Sequence, residues 1–212
     1  MLGLGHLTVP LHIATVVVPV AMYFLILGLL NTRRGPQLLT GRRDFALLVV
    51  ALAPIFVLPA LNYIGVSLVS VSLAVGAVVA VIRVLAPPRG TWVIYNIPLA
   101  EARAAVESAL AGMDLEIVPI ERGWQIESPR AKVELGGFPL LQNVSVRVRG
   151  GDEQLTRRFG RRLSGALSCV QCEPRPMAVM MLLVATGMLV APLAMVAREA
   201  GEIVRILTDL LK

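Results

Sequence analysis

Charged residues are scarce in this 212-residue chain: Asp, Glu, Lys and Arg make up 16% of it, against about 25% in an ordinary soluble domain. None occurs before Arg33, and after Asp44 the next is Arg83. So small a charged fraction does not cover the surface of a water-soluble globule of this size. Two cysteines exclude a disulfide-built scaffold. The two histidines, His6 and His12, both lie near the N-terminus, and lysine is confined to Lys132 and Lys212. Catalytic signatures are missing as well: the chain has no G-x-S-x-G, no H-E-x-x-H, no P-loop lysine and no G-x-G-x-x-G.

What the chain does contain is apolar surface, with 56% hydrophobic residues and a mean hydropathy of +0.75, which excludes disorder. Four stretches, about 10–30, 45–63, 66–85 and 177–197, approach the roughly 20 residues that a helix needs to cross hydrocarbon. Prolines at 19, 54, 59 and 192 interrupt them. In a membrane, neighbouring helices re-satisfy the backbone groups that proline frees. Pro54 and Pro59 make the second stretch the weakest of the four, open to a kinked or re-entrant form. The first stretch lacks a basic n-region and is too long for a signal-peptide core, so it reads as a retained anchor.

Arginine placement sets an expected orientation. Arg33, Arg34, Arg42 and Arg43 lie between the first two stretches, opposed by the single acid Asp44. Arg83 and Arg89 flank the exit of the third, and Arg175 the entry of the fourth. With four spans all of these share one face, so residues 87–176 are expected in the cytoplasm and both termini outside. The expected location is a cell membrane, of the prokaryotic cytoplasmic type.

Residues 87–176 are long enough for one small core. Thr91–Asn96 reads as a strand, followed by a helix with Leu99, Ala102, Val106, Ala109 and Met113 on its buried face. Gly112 stands near that helix's end, as a C-cap would. A hairpin turns at Glu121-Arg122-Gly123, and a short strand covers 131–135. In 143–149 Val144, Val146 and Val148 alternate with polar residues, the mark of a sheet with one wet face. A second helix, about 152–170, carries Leu155, Phe159, Leu163, Leu167 and Val170 in a stripe. The expected fold is therefore a polytopic α-helical membrane protein with four transmembrane helices. A small α+β two-layer sandwich is inserted between helices 3 and 4, and an amphipathic tail occupies 198–212.

Several features are candidates for function. Ser72, Gly76 and Ala80 form a small-residue groove on the third span, and Gly187 and Ala191 repeat it on the fourth. Such spacing lets helices approach closely, although small residues are common in apolar helices anyway. Arg157, Arg158, Arg161 and Arg162 lie on the exposed side of the second domain helix. Together with Arg33, Arg34, Arg42 and Arg43 they are candidates for contact with anionic lipid or an anionic ligand; a merely solvated face carries equal weight. Without aromatic stacking partners near these arginines, no nucleic acid is expected. Cys169-Val-Gln-Cys172 has the spacing of half a zinc site, but no third cysteine exists and both histidines fall across the membrane. No metal and no cofactor are expected.

The resulting expectation is a non-enzymatic subunit or scaffold of a membrane complex, whose partners are the lipid bilayer and other membrane subunits or copies of itself. The alternatives are a membrane-tethered sensor or adaptor that binds an anion through its basic helix face and, more remotely, an enzyme acting on a lipid or membrane-bound substrate.

Overall fold

A computed structural model describes residues 4–127, 130–138, 143–171, 176–198 and 201. Four helices in it are long and apolar enough to cross a membrane: α1 (Leu4–Asn31), α2 (Gly41–Ile64), α3 (Leu68–Leu85) and α6 (Pro176–Arg198). α2 runs unbroken through Pro54 and Pro59, so the second apolar stretch is one continuous helix of 24 residues. It turns into α3 through Gly65. The Ser67 side chain accepts from Ser70 N–H at 3.1 Å, and the Ser70 hydroxyl answers the Ser67 N–H at 2.8 Å. This reciprocal cap satisfies backbone donors that an apolar surrounding would leave bare.

Between α3 and α6 the chain forms β2 (Thr91–Tyr95), α4 (Leu99–Ala111), β3 (Ile117–Ile120), β4 (Gly123–Ile126), β5 (Ala131–Phe138), β6 (Asn143–Gly150) and α5 (Glu153–Ser168). These elements follow the predicted order. A further strand, β1 (Gln37–Thr40), comes from the connection between α1 and α2, where the sequence reading expected only a basic loop. The sheet has six strands in the order β1-β2-β6-β5-β4-β3, and every neighbouring pair is antiparallel. β1 pairs Gln37 with Tyr95 and Thr40 with Trp92. The outermost strand at the far side, β3, carries Pro119, a residue that edge strands tolerate because it donates no ladder bond.

Strand alternation gives the sheet two unlike faces. Trp92, Ile94, Val133, Val144 and Val146 point to one side and form a single core with α4 and α5. α4 contributes Ala102, Ala105, Val106, Ala109, Leu110 and Met113, and α5 contributes Leu155, Phe159, Leu163 and Leu167. The Phe159 ring stands 5.6 Å from that of Trp92. Leu99, expected in this core, is exposed. It is the first residue of α4 and lies over Gly137 of β5, where a Cβ would stand 3.5 Å from Leu99 Cδ1, at the rim of the core rather than inside it. Gly112 does cap α4, donating to Ser108 O at 3.3 Å, but with an ordinary φ of −75°; Asp114 takes the left-handed turn instead, at φ +52°.

The opposite sheet face is divided. At β1 and β2, Leu39, Val93 and Tyr95 pack against Tyr23, Leu27 and Leu30 of α1 and Met181 of α6. At β5 and β6 the same face carries Lys132, Glu134, Ser145, Arg147 and Arg149. The 28 residues of α1 span roughly 42 Å at 1.5 Å each, longer than the ~30 Å of a hydrocarbon core, and its C-terminal turns are the ones that meet the sheet.

α1 and α6 are the most closely associated of the apolar helices, with Ala21, Ala178 and Ala185 almost wholly buried. Gly28 makes this approach possible: a Cβ there would stand 2.7 Å from Leu182 Cδ2.

Candidate functional site

The site with the densest polar geometry is the junction between the sheet and the ends of α1 and α2. Asn31 closes α1, donating from Nδ2 to Leu27 O at 3.0 Å. Its Oδ1 accepts from the backbone N–H of Asn96 at 2.9 Å. Asn96 Nδ2 in turn donates to Arg33 O at 2.7 Å. Both asparagines are buried, at 4% and 2% exposure, and Asn96 sits at φ +59°, a conformation that asparagine tolerates better than most residues. One turn into α2, the Asp44 carboxylate accepts from the Tyr95 hydroxyl. Burial first, and then the hydrogen bond and charge of Asp44, hold the Tyr95 hydroxyl protonated well above the ordinary tyrosine range. Each element that meets here thus contributes a polar group with a partner, as buried polar groups require. One exception stands nearby: Thr91 Oγ1 is buried and has no partner among the described residues.

Two signals of this junction are present in the sequence. Asp44 is the only acid in a run of arginines, and a lone carboxylate in a half-buried position needs a donor. Tyr95-Asn96 closes a strand with two polar groups in a row. What the sequence could not show is that β1 brings the two together.

The candidate arginines do not form one site. Arg33 and Arg34 are exposed in the α1–β1 turn, and Arg33 Nη1 donates to Gln37 Oε1 at 3.5 Å. Arg42 and Arg43 are exposed in the first turn of α2. There the helix dipole favours an acid, which Asp44 supplies. Arg157, Arg158, Arg161 and Arg162 are all exposed on α5, across the sheet from the contact with α1 and α6. Arg157 pairs with Glu153 at 3.0 Å, and the guanidiniums of Arg157 and Arg89 hold the exposed Glu153 carboxyl below its usual range.

Ser72, Gly76, Ala80, Gly187 and Ala191 are all exposed within the chain. A Cβ on Gly76 or Gly187 would meet nothing within 4 Å. The intramolecular helix contact uses the other face of α6, through Ala178, Met181 and Ala185.

Among the described residues no group of three or more His, Cys, Asp or Glu is arranged to hold a metal ion. Cys169 is exposed and unpaired at the end of α5; Cys172, Arg175 and most of the tail 198–212 lie outside the described residues. No family model matches the chain, and no curated protein or solved structure is significantly similar to it.

Proposed function

We propose that the chain is a multi-pass membrane protein with a non-enzymatic, structural role: a subunit that holds an α+β platform at a fixed position against the cytoplasmic side of the bilayer. The observation that carries this reading is the hydrogen bonding of β1 to β2. β1 lies between α1 and α2, and β2 follows α3, so a continuous sheet needs both connections on one side. A crossing by α2 and a return by α3 meets that need. Arg33, Arg34, Arg42, Arg43, Arg83 and Arg89 then share that side, which the positive-inside rule makes the cytoplasmic one.

A rigid attachment suits a scaffold better than a tethered sensor. The platform is joined to the helices by a strand pairing, an apolar contact and the Asn31–Asn96 and Tyr95–Asp44 bonds. A flexible linker would let a sensor domain reorient; this arrangement fixes its surfaces relative to the bilayer, where other membrane subunits or a second copy can meet them.

Cysteine accessibility in sealed vesicles tests the topology. With Cys169 and Cys172 replaced by serine, Arg34→Cys and Glu121→Cys react with an impermeant thiol reagent from one side, and Tyr63→Cys from the other. Labelling of Arg34→Cys and Glu121→Cys from opposite sides overturns the topology. The subunit role predicts a complex larger than one 22.7 kDa chain when mass is measured by light scattering in mild detergent; a lone monomer refutes it.

A further inference from the structure

One corner of the sheet gathers cations from separate stretches of sequence. β1 ends at Thr40, opposite Trp92, and α2 begins at once with Gly41, Arg42 and Arg43. α3 carries Arg83 in its last turn and leads through Pro87 and Pro88 into β2. Because β6 runs antiparallel to β2, its C-terminal end returns to this corner: Thr91 pairs with Arg147, and Val148 N–H donates to Gly90 O at 2.8 Å. β5 starts beside it, with Lys132 opposite Arg149.

A cleft of about 610 Å³ opens here, walled by Arg89, Arg147 and Arg149 and floored by the turn from β6 into α5. Gly150 and Gly151 shape that turn at φ +78° and +72°; a Cβ on Gly150 would stand 2.7 Å from Arg130 O. The acids around the cleft are already engaged. Asp152 accepts from Leu155 N–H at 2.6 Å as the cap of α5. Glu153 is shared between Arg157 at 3.0 Å and Arg89 at 3.5 Å. Glu134, opposite Arg147 in the register, pairs with Arg149 at 3.1 Å. Lys132, Arg147 and Arg149 therefore surround one carboxylate on this face, and Lys132 stands directly across from Arg149. Like charges in that position destabilise a sheet unless an anion compensates them.

We infer that this cleft binds a phosphate-bearing anion, and that its place at the end of α3 suits the phosphodiester of an anionic lipid headgroup. Guanidinium forks match phosphate oxygens in pairs, and a basic pocket beside membrane helices on the cytoplasmic side is where lipid headgroups are held. The lipid assignment rests on the reading of α2 and α3 as membrane spans. The α5 arginines are not part of this cleft.

The full chain in zwitterionic detergent, titrated with short-chain phosphatidylglycerol, phosphatidylcholine or inorganic phosphate, provides the test. Thermal unfolding and native mass spectrometry are the two readouts. Phosphatidylglycerol should raise the unfolding temperature and persist as a bound adduct, while phosphatidylcholine does neither. Arg89→Gln should weaken that response roughly fivefold, and the Arg147→Gln/Arg149→Gln pair by about fivefold per residue. The Arg158→Gln/Arg161→Gln/Arg162→Gln variant should respond like wild type. Because the Arg89 side chain is 77% exposed, its replacement leaves the core untouched, and an unchanged lipid-free unfolding temperature verifies this. An equal response to inorganic phosphate, weakened in Arg89→Gln, keeps the anion site but overturns the lipid source. No response to either anion, a response that survives all the cleft substitutions, or one lost only with the α5 arginines overturns the site. Carbonate extraction checks the span reading separately: release of the chain from membranes would defeat that reading whatever the phosphate arm shows.

Discussion

The hydroxyl of Tyr95 donates to the carboxylate of Asp44, tying the last residue of a sheet strand to the first turn of an apolar helix. Neither residue reaches water freely, so each depends on the other. Tyr95→Phe removes the donor, leaves the carboxylate half-buried and should destabilise the protein by about 1–3 kcal/mol, read as a lower unfolding temperature in mild detergent.

Burial of Tyr95, reinforced by the same bond, gives the protein an alkaline limit. Tyr95 holds its proton more tightly folded than unfolded, so the folded state is favoured in full below about pH 10, the ordinary tyrosine value. Stability then falls as pH rises above it, because only the unfolded chain readily forms the tyrosinate. Stability measured against pH should drop in that range for wild type and drop less for Tyr95→Phe. An equal decline in both would show that Tyr95 is not responsible.

Asn96 carries two separable roles. Asn96→Gly keeps the left-handed backbone but leaves Arg33 O without its donor, at about 1–3 kcal/mol. Asn96→Ala adds the strain of a Cβ at positive φ, about 1 kcal/mol more. The Asn31 bond uses the Asn96 backbone and survives both, so the order of unfolding temperatures should be wild type, then glycine, then alanine.

Helix packing offers a contrast between two glycines. At Gly28 a new methyl group would press on Leu182, and Gly28→Ala should lose about 1–3 kcal/mol through overpacking. At Gly187, where a Cβ meets nothing, the same change should stay within about 0.5 kcal/mol. Equal effects would mean that α1 and α6 do not meet as described.

Thr91 is a place where the protein can be improved. Its buried hydroxyl has no partner among the described residues, and Thr91→Val removes that unmet group at nearly constant shape. A gain of about 1 kcal/mol is expected, measurable in the same unfolding assay.

The sequence made the regular elements legible because their signals are local. Twenty-residue apolar runs announced α1, α2, α3 and α6, and alternation in Val144, Val146 and Val148 announced β6. The stripe of Leu155, Phe159, Leu163 and Leu167 announced α5 in the same way. The misses were matters of partnership. Gln37–Thr40 is too short to signal a strand, and it becomes one only because β2 offers a free edge. Ser72, Gly76 and Gly187, which have the composition of a helix contact, stay exposed within the chain, while α1 and α6 meet at Gly28, Ala178 and Ala185, where neighbours decide. The cleft itself escaped notice because Arg89, read only as a flank of the third stretch, shares it with Arg147 and Arg149 only once β2 pairs with β6. Spacing along the chain carries no trace of that.

The early position of β1 imposes an order on biosynthesis. Gln37–Thr40 leaves the ribosome ahead of α2 and α3, while the strand that completes it follows them. Until β2 has followed both helices, Gln37–Thr40 has no strand to pair with. In the proposed topology, a nascent chain that inserted α2 without returning through α3 would strand β1 on the wrong side from β2. Closure of this one ladder would then act as a checkpoint: a chain threaded as proposed seals its sheet, and a misthreaded one keeps an open edge.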